Sequence, residues 1–251
     1  MPSSARQVRV SCLGTGDAFS SGGRLQSGFH VTDGQHCVLI DCGCSVLGGL
    51  HRAGLSAADI DLVVISHLHG DHFGGIPFLL LDGKYAAKRT KPLTLVGPPG
   101  LGEAVDTLAG VLYPGTLQDD LGFTVEVQEL EADRPLHQPG LLLTCSKVCH
   151  GRSDNCFGLR LELGARIIAY TGDTEWTETL IPLSQGADLL IAECCAFDNP
   201  LPGHLDYQTL VRQHKRLGCR RLVLTHLGPQ MLTRLDELEL EALADGTEIM
   251  L

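Results

Sequence analysis

The chain has 251 residues, of which 43% are hydrophobic, so it can bury a sizeable core, and we expect residues 1–251 to form a single domain. Its 19 basic and 30 acidic side chains give a formal net charge of −11, which argues against a broad surface for binding polyanions. No apolar stretch approaches the roughly 20 residues that cross a bilayer, and the first residues lack an apolar leader. We therefore expect no membrane contact and a cytoplasmic location.

The first half of the chain alternates β-rich runs with helical patterns. Short runs of apolar residues that end in Gly, Asp or Ser predict strands at residues 8–13, 29–32, 37–40, 62–65 and 93–96. Apolar residues at three- and four-residue spacing predict helices over 46–53 and 101–112. The apolar run 78–81 is either a buried helix or part of an interface.

The second half repeats this order of elements. Apolar runs predict strands at residues 141–148, 157–163, 166–170, 189–192 and 222–225, and a helix at 207–217. Two successive halves of strands and helices predict an α/β fold in which two mixed sheets pack face to face, with helices outside.

Residues 67–72 read His-Leu-His-Gly-Asp-His and directly follow the predicted strand at 62–65. Neither a helix nor a strand would put side chains at these spacings on one face, so a loop must bring them together. Convergence of this kind costs strain and desolvation unless an ion is bound there. Imidazole and carboxylate ligands predict zinc, with manganese or iron as alternatives.

Four further polar side chains each follow an apolar run closely. They are His150, Asp173, Glu193 and His226. One such residue alone is typical of a turn or a cap, but together they repeat the arrangement of the histidine-rich loop. Because strand ends carry the functional sites of α/β sandwiches, we expect a shared site.

The order of these residues resembles that of the metallo-β-lactamase superfamily of binuclear metallohydrolases. The matching pieces are His67-x-His69-x-Asp71-His72, His150, Gly172-Asp173-Thr174 and Thr225-His226. The resemblance implies a four-layer αβ/βα sandwich with two metal ions at the sheet edges. It also implies which residues bind them: His67, His69 and His150 for one ion, Asp71, His72 and His226 for the other, and Asp173 for both. A hydroxide between the ions would be the nucleophile, with Asp71 orienting or deprotonating it.

A second motif narrows the resemblance to the ribonuclease Z and phosphodiesterase group. The sequence Gly203-His204-Leu205-Asp206 precedes His226 by 22 residues, counted from His204. In that group such a histidine helps to stabilise the phosphoryl transition state or protonates the leaving oxygen. The alternative for His204 is a cap of the helix that begins near Asp206.

The glycine-rich opening, residues 13–24, also resembles the first strand and loop of this group. We expect Asp17 to accept a hydrogen bond from a metal-binding histidine. Arg24 is expected either to hold a substrate phosphate or to be an ordinary surface arginine.

The spacing between His150 and Asp173 bears on the substrate. Only 22 residues intervene, whereas tRNA-processing members commonly carry a long arm there. Together with the acidic charge, this favours hydrolysis of a small or cyclic phosphodiester. The alternatives are a tRNA 3′-processing endonuclease with RNA as partner, a hydrolase of lactam, lactone or thioester bonds, and an inactive metal-binding module. The last is disfavoured because every ligand is present.

Relatives are often homodimers, and a homodimer is favoured here. The ten cysteines lack a C-x-x-C pair, so we expect free thiols. A second metal site or a redox role at Cys42, Cys44, Cys194 and Cys195 is the alternative to inert packing.

Overall fold

The computed structural model describes residues 7–116, 120–132, 134–151 and 155–251, and within these ranges the strands form two sheets of seven. The first sheet contains β1 (Arg9–Gly14), β2 (Gly28–Thr32), β3 (Cys37–Ile40), β4 (Leu62–Val64), β5 (Leu93–Gly97) and β6 (Val125–Glu129) in this spatial order. The second contains β7 (Leu136–Gln138), β8 (Leu141–Lys147), β9 (Phe157–Leu163), β10 (Arg166–Tyr170), β11 (Leu189–Glu193), β12 (Leu222–Thr225) and β13 (Glu241–Ala242), again in order. The last strand, β14 (Glu248–Met250), returns to pair with β1 of the first sheet.

The helices cover the outer faces of the two sheets. They are α1 (Val46–Arg52), α2 (Gly70–Phe73), α3 (Ile76–Tyr85), α4 (Leu101–Leu112), α5 (Leu180–Ser184), α6 (Tyr207–Leu217) and α7 (Pro229–Leu232). The boundaries of α6 have clear chemical causes. Asp206 accepts a hydrogen bond from the backbone N–H of Thr209 at 2.8 Å, and Gly218 ends the helix in the left-handed conformation at φ +64°.

Three apolar clusters account for the four layers. One lies between the sheets and includes Phe29, Phe157 and Tyr170. A second fills the space between the first sheet and its helices, and a third does the same for the second sheet. This arrangement confirms the predicted αβ/βα sandwich, because each sheet is apolar on both faces and needs a covering layer on each side.

All the predicted strands and helices are present, and the elements not predicted are edge strands and the short helices α2, α5 and α7. No sequence pattern indicated β6, whose side chains are largely exposed, or β7, which is three residues long. The run 78–81 lies within α3, where Leu79 and Leu80 are buried against the first sheet. In the part of the chain that the structure describes, no helix has the length and apolar character needed to span a membrane.

The strand directions bring distant loops to one edge of the sandwich. Strands β3 and β4 are parallel, and so are β10, β11 and β12. Strand β8 pairs antiparallel with β9, which pairs antiparallel with β10, so β8 points the same way as β10. The carboxyl ends of these strands therefore face one another across the sheets, and the predicted ligands follow them.

Candidate metal centre

The structure brings all seven predicted metal ligands together in two adjoining groups. The histidine cluster consists of His67, His69 and His150, and the acidic cluster consists of Asp71, His72, Asp173 and His226. Within each cluster the candidate ligand atoms lie within 4.8 Å of one another. The loop after β4 supplies members of both clusters, and the loops after β8, β10 and β12 supply the others.

In the histidine cluster, ring nitrogens face one another at short range. His150 Nε2 lies 3.0 Å from His69 Nδ1. The other nitrogen of His150 contacts the carbonyl oxygen of Gly203 at 2.7 Å, which fixes the ring. A side chain at Gly203 would be strained, because its Cβ would lie 3.0 Å from His150 Nδ1 and φ there is +84°. His67 Nε2 is buried and makes no hydrogen bond.

In the acidic cluster, each of the two carboxylates contacts both imidazole rings. Oδ2 of Asp71 lies 3.2 Å from Nε2 of both His72 and His226. The Asp173 carboxylate contacts the same two rings, each at 3.3 Å. Its Oδ2 atom also lies 3.9 Å from Nε2 of His67 and of His150, so Asp173 stands between the two clusters.

These distances and donor types fit divalent cations. When nitrogen and oxygen bind an ion at about 2.0–2.1 Å, neighbouring atoms of a tetrahedral shell lie about 3.3 Å apart. The contacts within the acidic cluster have this spacing. Nε2 of His67, Nε2 of His72 and Oδ1 of Asp173 are buried without a hydrogen-bond partner, although burying such groups unpaired is costly. A cation in each cluster would satisfy them.

The two clusters differ in how their environment shifts pKa values. Burial lowers the pKa of His67 well below its ordinary value. Burial also disfavours a charge on His72 and His226, but the negative charge of Asp173 outweighs it and raises both pKa values well above the ordinary value. Burial alone would raise the pKa of Asp71, and the hydrogen bond from His226 together with the contact with His72 instead lowers it.

A third carboxylate, that of Asp41, orients His72 through its other ring nitrogen, Nδ1. Asp41, which directly follows β3, has Oδ2 at 2.7 Å from His72 Nδ1. It also accepts hydrogen bonds from the backbone N–H and the hydroxyl of Ser66 at 2.8 Å. The φ values of Asp41 and His226 are +56° and +57°, a strained region for residues other than glycine. The sequence interpretation missed Asp41, although it too is a polar residue after an apolar strand.

His204 lies beside the acidic cluster rather than capping α6. Its ring stacks on that of His226, with centroids 5.5 Å apart, and its Nδ1 lies 3.9 Å from Asp173 Oδ2. The same Nδ1 lies 3.0 Å from Oε1 of Glu193, which also accepts a hydrogen bond from the Thr174 N–H. Although burial lowers the pKa of His204, the hydrogen bond and charge of Glu193 give a net increase. The sequence had placed Glu193 at a strand end without a role.

The expectation for Asp17 was wrong, whereas the two alternatives for Arg24 stay predictions. Asp17 accepts hydrogen bonds within its own loop, from Ser21 N–H, Ser21 Oγ and Phe19 N–H, and orients no metal-binding histidine. Arg24 donates to the hydroxyl of Thr15 at 2.8 Å and to the carbonyl oxygen of Leu243, so it joins scaffold segments. The role predicted for Asp17 belongs to Asp41.

None of the ten cysteines, all of which lie in the described residues, forms a disulfide, as expected. Among the described residues, only Cys195 of the four singled out belongs to a group that could hold an ion, together with His204 and His226.

Comparison with known proteins agrees with the fold. A family model described as Anti-Pycsar protein Apyc1 matches residues 8–245. The chain is 28% identical over 232 residues to the probable metallo-hydrolase YhfI of Bacillus subtilis, covering 88% of this chain and 87% of YhfI. It is 27% identical over 249 residues to ribonuclease Z of Mycobacterium bovis, covering 88% and 86%.

Solved structures give the same result. The crystal structure of Bacillus subtilis YhfI has a TM-score of 0.80 at 24% identity and covers 97% of this chain and 99% of that one. The short form of human tRNase Z has a TM-score of 0.78 at 26% identity, covering 96% and 98%. The chain therefore belongs to the Apyc1 anti-Pycsar protein family and is a metal-dependent hydrolase with the metallo-β-lactamase fold, related to ribonuclease Z.

Proposed function

We propose that the protein hydrolyses a small or cyclic phosphodiester with the help of two divalent cations, with zinc as the expected ion and manganese or iron as alternatives. His67, His69 and His150 would hold one cation, and Asp71, His72 and His226 the other, with Asp173 contacting both. Cations in such a centre lower the pKa of water to near neutral and stabilise negative charge on a phosphoryl oxygen.

The observation that carries this proposal is the pair formed by His204 and Glu193 beside the two clusters. An alkoxide that leaves phosphorus needs a proton, and His204 can supply it because its raised pKa favours the charged imidazole. The contact of Nδ1 with Glu193 leaves Nε2 as the nitrogen that can donate to the substrate. Glu193 is fully buried, so it holds the ring in one orientation without reaching the substrate itself.

Asp71 supports the attacking water in this proposal. Its pKa is lowered, so it stays ionised and can accept a hydrogen bond or a proton from the nucleophile. The residue is 8% exposed at the edge of the acidic cluster. Asp71 and His204 would thus handle protons for the nucleophile and the leaving group, respectively.

The size of the substrate is inferred from charge and chain length. The net charge of −11 opposes a long polyanion, and residues 157–170 between His150 and Asp173 form the hairpin of β9 and β10 rather than an extended arm. The second candidate is a tRNA 3′-processing endonuclease, which the 27% identity to ribonuclease Z over 86% of its length favours.

A comparison of substrates tests the proposal. Zinc-loaded and manganese-loaded protein is incubated with nucleoside cyclic phosphates, a cyclic ribose phosphate, a 3′-extended precursor tRNA, nitrocefin and a homoserine lactone. We expect hydrolysis of at least one small phosphodiester, abolished by chelation and restored by added metal. A single cut of the precursor tRNA after the discriminator nucleotide, with no small phosphodiester cleaved, would support the endonuclease instead.

A further inference from the structure

Four of the five candidate histidine ligands are buried, and a buried ligand needs a partner for its second ring nitrogen. When one nitrogen of a neutral imidazole binds a cation, the other nitrogen carries the proton and needs an acceptor for it. That acceptor decides which nitrogen faces the cation and how the ring is turned. The four buried rings differ in the acceptor that they find.

Three of the buried rings offer Nδ1 to an oxygen atom. The pairs are His67 Nδ1 with Ser66 Oγ at 3.1 Å, His72 Nδ1 with Asp41 Oδ2 at 2.7 Å, and His150 Nδ1 with the Gly203 carbonyl oxygen at 2.7 Å. In all three rings Nε2 is therefore the nitrogen that faces the two clusters.

His226 is the exception among the buried rings. Its Nε2 faces the acidic cluster in the same way, at 3.2 Å from Asp71 Oδ2 and 3.3 Å from Asp173 Oδ2. Its Nδ1 is buried, but no oxygen or nitrogen atom of the described residues forms a hydrogen bond with it. Because leaving a buried polar atom unpaired is costly, the group that lies beside this ring becomes important.

The group beside the ring of His226 is the thiol of Cys195. Its Sγ atom lies within 4.8 Å of the candidate ligand atoms of His226 and His204, and the thiol makes a polar contact with the His226 ring. Since Nε2 of His226 already faces two carboxylates, Nδ1 is the nitrogen left for the thiol. The sulfur atom of cysteine is a weak hydrogen-bond acceptor, so it can receive the proton of Nδ1.

Backbone contacts hold Cys195 against the segment that carries His226. The N–H of Cys194 donates to the carbonyl oxygen of Thr225 at 2.9 Å, and the N–H of Gly228 donates to the carbonyl oxygen of Cys195 at 3.2 Å. A Cβ at Gly228 would lie 2.4 Å from that carbonyl oxygen and 3.2 Å from Sγ, so this close approach requires glycine. The thiol is therefore fixed beside the ring by the loops after β11 and β12.

We propose that Cys195 is a positioning residue whose sulfur accepts a hydrogen bond from Nδ1–H of His226 and so keeps Nε2 turned towards the cation of the acidic cluster. This inference rests on the metal centre of the proposed function. It gives His226 the kind of support that Asp41 gives His72. Because a thiol accepts a hydrogen bond more weakly than a carboxylate does, His226 is the less firmly held of the two rings.

The test is a series of substitutions at position 195, with affinity for Zn²⁺ measured by competition with a chromophoric chelator. Cys195→Ala removes the acceptor, so the affinity should fall by about tenfold, the lower end for residues that support a ligand. Cys195→Ser replaces sulfur with an oxygen acceptor and should restore most of the lost affinity. Cys219→Ala, which removes another partly buried thiol just after α6, is the matched control and should leave the affinity unchanged.

Two results of this series would overturn the positioning role. The first is equal affinity of Cys195→Ala and the wild type, which would mean that the ring of His226 needs no support from the thiol. The second is an affinity of Cys195→Ser as low as that of Cys195→Ala, because a role in packing alone would not be rescued by a hydrogen-bond acceptor.

The absorption spectrum of cobalt-loaded protein separates positioning from direct ligation. A thiolate bound to Co²⁺ gives a sulfur-to-metal charge-transfer band, and we expect no such band from Cys195 because its sulfur contacts the ring and not the ion. A band that is present in the wild type and lost in Cys195→Ser would make the thiol a ligand and overturn the inference.

Neither measurement needs a substrate, so this inference and the proposed function can fail separately. If the affinity series holds but no phosphodiester is cleaved, the proposed function fails and the positioning role stands. If a small phosphodiester is cleaved but the affinity series fails, the positioning role is overturned and hydrolysis stands.

Discussion

The histidine cluster and the acidic cluster use similar ligand types but are prepared differently for a cation. The histidine cluster has no carboxylate of its own, and His69 is exposed. Burial lowers the pKa of both His67 and His69, so these rings stay neutral. In the acidic cluster all four residues are buried, and carboxylates raise the pKa of His72 and His226.

The difference shows how one fold can make two unequal sites. In the acidic cluster, protons on the imidazole rings balance the negative charge of the buried carboxylates. A cation must displace these protons in order to bind. In the histidine cluster, His67 and His69 can bind a cation without losing protons, but the cluster offers less charge to hold it. Asp173 contacts both clusters, so cation binding to one cluster should affect cation binding to the other.

The largest effect is expected for the residue that the clusters share. Asp173→Asn keeps the size of the side chain but removes its charge, so both clusters should lose their cation. We expect metal affinity to fall by more than about 100-fold, the upper end for residues that only support a ligand, and turnover to fall to background. Elemental analysis after gel filtration measures this. Asp106→Asn on the exposed face of α4 is the control, and two retained ions in Asp173→Asn would exclude a shared ligand.

The next effect separates metal binding from proton transfer. His204→Ala should retain the metal content of the wild type while kcat falls by about 10²- to 10⁴-fold, the range for general acid catalysis. Glu193→Gln removes the charge that raises the pKa of His204, so the alkaline limb of its pH–rate profile should move to lower pH. An unchanged kcat for His204→Ala would remove this residue from the chemistry.

A buried histidine outside both clusters shows what burial does without ligands nearby. Burial lowers the pKa of His30 from 6.5 to about 4, and its Nε2 contacts Cys37 Sγ. Because the folded state binds this proton less readily than the unfolded chain, stability is complete above pH 6.5 and is lost as the pH falls towards 4. The difference corresponds to at most about 3 kcal/mol.

Urea unfolding of metal-free protein at pH 7.5 and pH 4.5 measures this loss. His30→Gln should lose less stability on acidification than the wild type, whereas His137→Gln, at an exposed position, should behave like the wild type. If acid destabilises His30→Gln as much as the wild type, burial of His30 does not contribute to acid sensitivity.

The smallest effect concerns proton release on metal binding. Since the pKa values of His72 and His226 are raised, a cation must displace protons from the acidic cluster. Its affinity should therefore fall by about tenfold for each unit by which the pH is lowered, for each proton displaced. Binding to the histidine cluster should depend less on pH. Calorimetric titration in buffers of different ionisation enthalpy measures the protons released. Equal proton release in both binding events, or none in either, would contradict the difference between the clusters.

Local patterns predicted the layers, and the resemblance to a known superfamily supplied the seven candidate ligands that the structure brings together. Apolar runs that end in a polar residue identify a strand and the residue at its end, as with β12 and His226. Strand β6 was missed because an exposed edge strand needs no apolar alternation.

Contacts between distant segments could not be predicted in the same way. Asp41 supports His72 from 31 residues away, and Glu193 contacts His204 across 11, through strand pairings that no local pattern reveals. Asp17 was misassigned because its carboxylate is used within its own turn. The single domain over residues 1–251 and the homodimer stay predictions.

The most direct measurement is anomalous scattering from crystals of protein purified without any chelator, combined with elemental analysis of the same preparation. We expect two divalent ions per chain about 3.5–4 Å apart, one in each cluster, with the Asp173 carboxylate touching both. An absence of bound metal, or ions bound away from His67, His72 and Asp173, would contradict a binuclear centre.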